Sequence, residues 1–227
     1  MFPISDNNPA SRFPFINLVL IALNVVASYF LFKELLFDQA SGEALMTRFA
    51  LVPARDFDLS HPSLTQLIQP LTSMFVHGGI LHLVLNMWSL WIFGDNIESA
   101  FGSIKYLVFY LLCGIAAAFT HSTLHQESLL PVVGASGAIS GVMGAYMLLF
   151  PRARIRMFTL LIFYPIFFEI PAFVFLIIWF VGQLLSAGTM VAAQGANADI
   201  GGIAFFAHIG GFVAGLVLTP FFKKRKR

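Results

Sequence analysis

Six long apolar stretches, near residues 16–36, 80–100, 103–121, 135–150, 168–187 and 203–222, leave this chain little chance of folding as an ordinary water-soluble protein. A helix that crosses a bilayer needs about 20 mainly apolar residues, and stretches of that kind recur here with short polar breaks between them. Composition agrees. Of 227 residues 58% are hydrophobic and only 11% charged, against roughly a quarter charged in a soluble domain. The expected fold is an all-α membrane protein, a single six-helix bundle occupying residues 16–222, with a polar, proline-rich segment 1–15 before it and a basic tail 223–227 after it. No small-residue cleavage site follows the first segment, so the first apolar run is expected to remain as a span rather than be removed as a signal.

Six spans put both termini on one side of the membrane, and the basic residues say which. One set of loops carries Arg12, Lys105, Arg152, Arg154, Arg156 and the tail of Lys223, Lys224, Arg225, Lys226 and Arg227. The other carries only Lys33, Arg48 and Arg55 among seven acidic residues. Cytoplasmic loops are the lysine- and arginine-rich ones, so both termini are expected in the cytoplasm, with a bacterial-type plasma membrane as the host. The net charge of +2 comes largely from that tail, which reads as a membrane-flanking anchor and gives no reason to expect nucleic acid as a partner. Lone Cys113 offers no internal disulfide. Two connecting regions are less regular. The long first loop holds Pro53, Asp56, Asp58, His61 and Pro62 and an amphipathic piece, 64–71, expected to lie along the interface. Residues 155–168 are apolar but interrupted by Tyr164-Pro165 and followed by Ile170-Pro171, so they are expected as a folded-back cytoplasmic piece with the fifth span beginning inside it.

With this sidedness, spans two, four and six enter from the outer face, and their early residues share one depth. There the candidate chemistry lies. In Gly134-Ala135-Ser136-Gly137 a serine opens span four, where flanking glycines let backbone approach and a helix start offers free N–H donors. Taken alone, a serine among small residues is more often packing surface, and Gly137, Gly141 and Gly144 fit that role. His208, early in span six, shifts the balance, because ionisable side chains inside a bilayer are rare and default to function. Gly211 and Gly215, at i+3 and i+7 from it, form a stripe that would let spans four and six approach closely enough for a serine–histidine hydrogen bond. His82 and Asn86, four apart on span two near His77, would supply donors to an oxyanion, with interhelical bonding as the ordinary alternative. His121 and His125 are expected solvated near an outer loop. No H-E-x-x-H pattern supports a metal, and no cofactor is expected. Without an acid in the outer halves of these spans, the chemistry would be a dyad rather than a Ser-His-Asp triad.

These motifs together resemble the rhomboid family of intramembrane serine proteases, and the likeness runs from the first span to the sixth. Gly134-Ala135-Ser136-Gly137 is similar to the family's nucleophile motif, Ala207-His208-Ile209-Gly210-Gly211 to its base motif, and His82 with Asn86 to its H-x-x-x-N pair. The resemblance implies that Ser136 attacks and His208 takes its proton. It implies that the Ser136 N–H, His82 and Asn86 hold the oxyanion, with Gly134 counted on the substrate-binding side. Glu98, before Gly102, is similar to a structural carboxylate near the inner face. Implied partners are single-span membrane proteins within the lipid bilayer. Two features depart from the pattern. The first loop lacks a Trp-Arg pair, and Ser140 stands where some members carry an aromatic that stacks on the histidine. A rhomboid-like pseudoprotease that binds clients is the rival expectation; a small transporter finds no inverted repeats to support it.

Overall fold

The computed structural model describes residues 2–57, 64–194 and 204–223; Asp58, His61, Pro62 and the tail from Lys224 onward lie outside the described residues. Each expected apolar run contains a helix: α1 (Phe15–Phe37), α5 (Ile80–Phe101), α6 (Ser103–Leu124), α7 (Ser136–Leu149), α8 (Ala172–Gln194) and α9 (Phe205–Phe222). Three shorter helices, α2 (Gln39–Phe49), α3 (Pro53–Asp56) and α4 (Leu64–Thr72), fill the long first loop. Arg55 and Asp56 tie that loop together. The Asp56 carboxylate accepts from the Val52 N–H at 2.7 Å and pairs with the Arg55 guanidinium at 2.6 Å, which also donates to the Ala50 carbonyl at 2.8 Å.

Glycine and a carboxylate set the geometry at one end of the bundle. Gly102 adopts φ 85°, a region disfavoured for L side chains, and so lets α5 turn directly into α6. Glu98, one turn earlier and buried, accepts from the Ile16 and Asn17 N–H groups at 3.1 and 2.8 Å and from the Ser103 hydroxyl at 2.5 Å. A single carboxylate thereby satisfies orphan donors at the start of α1, where the helix dipole favours negative charge.

The bundle is helical as expected, and one small sheet is added to it. Strands β1 (Phe2–Asp6), β2 (Arg154–Leu161) and β3 (Tyr164–Pro171) form an antiparallel sheet in the order β1-β2-β3. In β2 the side chains alternate, with Ile155 and Met157 buried and Arg154 and Arg156 exposed, which is the period of a half-covered strand. Pro165 and Pro171 deny this stretch the N–H groups a continuing helix needs, and the fifth helix begins only at Ala172, after the sheet rather than inside 155–168. The first segment is likewise not a plain polar lead-in: β1 docks on β2, and the Trp88 indole N–H donates to the Pro3 carbonyl at 2.7 Å.

Four of the helices, α1, α6, α8 and α9, are long and apolar enough to cross a membrane, and α5 qualifies when joined to the segment before it across a 95° bend. The chain is thus an integral, multi-pass membrane protein. Helix α7 has 14 residues, about 21 Å at ~1.5 Å per residue, short of the ~30 Å hydrocarbon core. It is the centre of the bundle. Residues 137–146 are all buried, and α7 packs on α9 and α6 through its small residues.

Candidate active site

The loop before α7 is pinned on two sides. Val132 and Leu51 exchange backbone hydrogen bonds at 2.7 and 3.1 Å, and the Gly134 N–H donates to the Ser73 carbonyl at 2.9 Å. Gly134 then takes φ 117°, open to glycine but strained for other residues, and the helix starts at Ser136. Ser136 is half-buried, and the N–H groups of this first turn have no carbonyl of their own helix to bond. Ser140, one turn on, donates its hydroxyl to the Ser136 carbonyl at 2.6 Å.

His208, in the first turn of α9, lies against this serine, with Ser136 Oγ and His208 Nε2 2.7 Å apart. The approach depends on small residues. A side-chain carbon on Gly211 would run into the Gly137 carbonyl, and one on Gly215 into the Gly141 carbonyl. The other imidazole nitrogen, Nδ1, lies 2.7 Å from Gln183 Oε1 on α8. An amide oxygen only accepts, so Nδ1 carries the proton and Nε2 is left to accept from the Ser136 hydroxyl. Trp179, four residues before Gln183 on the same helix face, brings its ring to 6.1 Å from the imidazole centroid, and Phe205 stands edge-on at 6.5 Å. Gln183 and Trp179 therefore flank the histidine from α8, while Ser140 is engaged with backbone. Gln183 was invisible to motif reasoning, although a lone amide in an apolar span is itself a signal that such a residue has a buried partner.

His82 and Asn86 face the same space from α5. A side-chain carbon on Gly134 would meet His82 Nε2 at 2.7 Å and Asn86 Nδ2 at 3.8 Å, so the His82 ring covers the loop one step before the serine. The Asn86 amide donates to the His82 carbonyl at 3.0 Å, which takes one of its two N–H groups. His77 is fully buried 3.0 Å from the Ser28 hydroxyl, with its ring edge-on to His82 at 5.1 Å. His121 departs from the solvated expectation. Helix α6 extends through it to Leu124, and the buried ring stacks on His125 at 4.5 Å. Among the described residues no three His, Cys, Asp or Glu side chains converge as metal ligands. Ser136, His208, His82, Asn86 and Gln183 all line one cavity of about 1050 Å³. That is ample for several residues of extended peptide.

Chemically, the arrangement offers a hydroxyl in contact with a neutral imidazole of fixed tautomer, glycine-bounded backbone and amide and imidazole donors nearby. These are the parts of nucleophilic acyl transfer with an oxyanion site. Comparison with known proteins bears on it. The family model described as the Rhomboid domain matches residues 64–225. RHOMBOID-like protein 6, mitochondrial, of Arabidopsis thaliana is 43% identical over 75 residues, covering 33% of this chain and 24% of that protein. Rhomboid protein 1, mitochondrial, of Saccharomyces cerevisiae is 28% identical over 166 residues, 70% of this chain and 43% of that protein. Rhomboid protease GluP of Bacillus subtilis is 39% identical over 75 residues, 33% of this chain and 14% of that protein. The matched regions span less than half the length of these curated relatives.

Proposed function

This chain belongs to the rhomboid family, and we propose that it is an intramembrane serine endopeptidase that cuts single-span membrane proteins near the outer membrane face. The observation that carries the proposal is the 2.7 Å contact between Ser136 Oγ and His208 Nε2, with His208 Nδ1 held by Gln183. A pseudoprotease that only escorts clients has no need of a nucleophile, base and orienting acceptor in line.

In the proposed cycle an unwound segment of the substrate enters the cavity and presents a carbonyl to Ser136. His208 takes the serine proton as Oγ bonds to the carbonyl carbon, and the oxygen's developing charge meets the Ser136 N–H, His82 and the free N–H of Asn86. His208 then passes its proton to the leaving amine, and a water deprotonated by His208 releases the acyl group from Ser136. Gly134 serves the substrate side by leaving the loop bare of side chain. Gly137, Gly141, Gly211 and Gly215 keep the two helices in contact, and Glu98 fixes the far end of the scaffold.

For topology we propose six crossings over residues 16–222, with both termini cytoplasmic in a bacterial-type plasma membrane. The shortness of α7 supports a submerged site. If its far end sits at the inner edge of the hydrocarbon layer, ~21 Å of helix leaves Ser136 about 9 Å below the outer edge. A fluorophosphonate probe on the purified protein tests the nucleophile. Labelling that Ser136→Ala abolishes is expected; a native protein that does not label is a pseudoprotease.

A further inference from the structure

The β2–β3 hairpin follows the C-terminal end of α7, the end opposite Ser136, and the site chemistry makes no use of it. Its base is packed, with Ile155 and Met157 buried. From Leu160 onward it carries apolar side chains with no cover: Leu161 is 61% exposed, Ile162 79%, Phe163 88% and Tyr164 76%. The exposure is on both faces of the tip, whereas a strand docked on a protein groove would show one apolar face and one polar. The turn itself is unusual. Leu161 pairs with Tyr164, so Ile162 and Phe163 make a two-residue turn, and Ile162 adopts φ 60°. Glycine, asparagine or aspartate normally takes that position, and a β-branched residue there is strained. Backbone comfort has been given up for a bulky apolar side chain at the outermost point of the hairpin.

We infer that the tip of this hairpin, residues 160–164, is a membrane-interface anchor whose occupant is the lipid leaflet on the side opposite Ser136. The surroundings fit lipid rather than protein. β3 runs straight into α8, and the Ala172 N–H donates to the Ala153 carbonyl at 2.7 Å, so the hairpin base is fastened at the end of a membrane-length helix. Past Glu169, which is exposed and sits opposite Arg156 at the hairpin base, the exposed apolar face resumes on α8 with Phe173, Ile177 and Ile178. Arg152, Arg154 and Arg156 stand exposed at the base, where they meet anionic headgroups, and the Arg156 guanidinium covers the Phe167 ring at 5.4 Å. The depth is bounded too. In the order β1-β2-β3 the outer edge of β3 has no strand partner among the described residues, and unpaired backbone is excluded from hydrocarbon. The turn's side chains enter the headgroup–acyl boundary while the strands stay in the polar zone, as Phe and Tyr at interfaces do.

The test uses the full chain in nanodiscs of phosphatidylethanolamine and phosphatidylglycerol. Phe163→Cys, and separately Ile162→Cys, is labelled with the environment-sensitive dye NBD; buried Cys113 in the otherwise native chain gives the labelling background. Glu127→Cys, exposed in a loop at the other end, is the aqueous control. The expected result is blue-shifted emission at both tip positions, quenched by doxyl-labelled lipid and shielded from aqueous iodide, with the reverse at Glu127→Cys. Tip dyes open to iodide would overturn the anchor. Shielding from iodide and doxyl lipid alike would overturn it as well, since the tip would then be covered by protein.

Discussion

Replacing Gly211 by alanine separates the role of helix contact from that of chemistry. The added carbon would lie under 3.0 Å from the Gly137 carbonyl, a backbone atom that cannot swing aside. Ordinary contact at ~3.5 Å with the carbonyl oxygen requires α7 and α9 to part there by about 1.5 Å. Ser136 is one residue from Gly137 and His208 one turn from Gly211, so the 2.7 Å Ser136–His208 bond would open to about 4 Å, beyond hydrogen-bond reach. Overpacking costs about 1–3 kcal/mol, partly offset by the ~1 kcal/mol helix preference of alanine over glycine. The protein should therefore stay folded. A misplacement of that size costs about 10²-fold in turnover. The assay is cleavage of a single-span substrate in proteoliposomes, alongside thermal unfolding. Gly188→Ala is the control, since its added carbon meets nothing within 4 Å, and it should be neutral or slightly stabilising. Gly211→Ala retaining native turnover, or losing it only in step with the unfolded fraction, would refute the reasoning.

Gln183→Leu leaves the His208 Nδ1–H without its acceptor, a deficit of about 1–3 kcal/mol, and should slow fluorophosphonate labelling of Ser136 roughly 5- to 150-fold while lowering the melting temperature by no more than about 10 °C. Asn86→Ala removes a donor from the oxyanion side and should lower kcat about 10²-fold in the cleavage assay while Ser136 still labels. Asp6 accepts hydrogen bonds from Tyr146 and from the Asn96 amide, and burial raises its carboxyl above the usual 3.8 despite the Tyr146 bond. The folded protein holds that proton more tightly than the unfolded chain. Stability from this group is present at low pH and falls as pH rises from 3.8 through the raised value. Melting curves of Asp6→Asn against the native protein should show the difference widening in the variant's favour toward neutral pH.

The helices were legible because an apolar run of membrane length has few other fates, and Ser136, His208, His82 and Asn86 stood out as polar groups in those runs. The sheet was not. Residues 155–168 are as apolar as a span, and the Arg154-Ile155-Arg156-Met157 alternation that marks a strand is short. Its partner β1 lies some 150 positions away in the sequence, where no local pattern can announce the pairing. Gln183 was hidden for a related reason: it is one amide in an apolar helix, and its meaning lies in a histidine 25 residues later on a different element. His121 went astray through a boundary, since one further turn of α6 carries it from loop to cavity wall.

Cleavage by the reconstituted protein tests the central claim most directly. A single-span substrate co-reconstituted with the native chain should yield two fragments whose masses place the cut near the end of the span on the side of Ser136. Ser136→Ala and His208→Ala should each yield none. Intact substrate with the native chain, or fragments persisting with Ser136→Ala, would contradict the account.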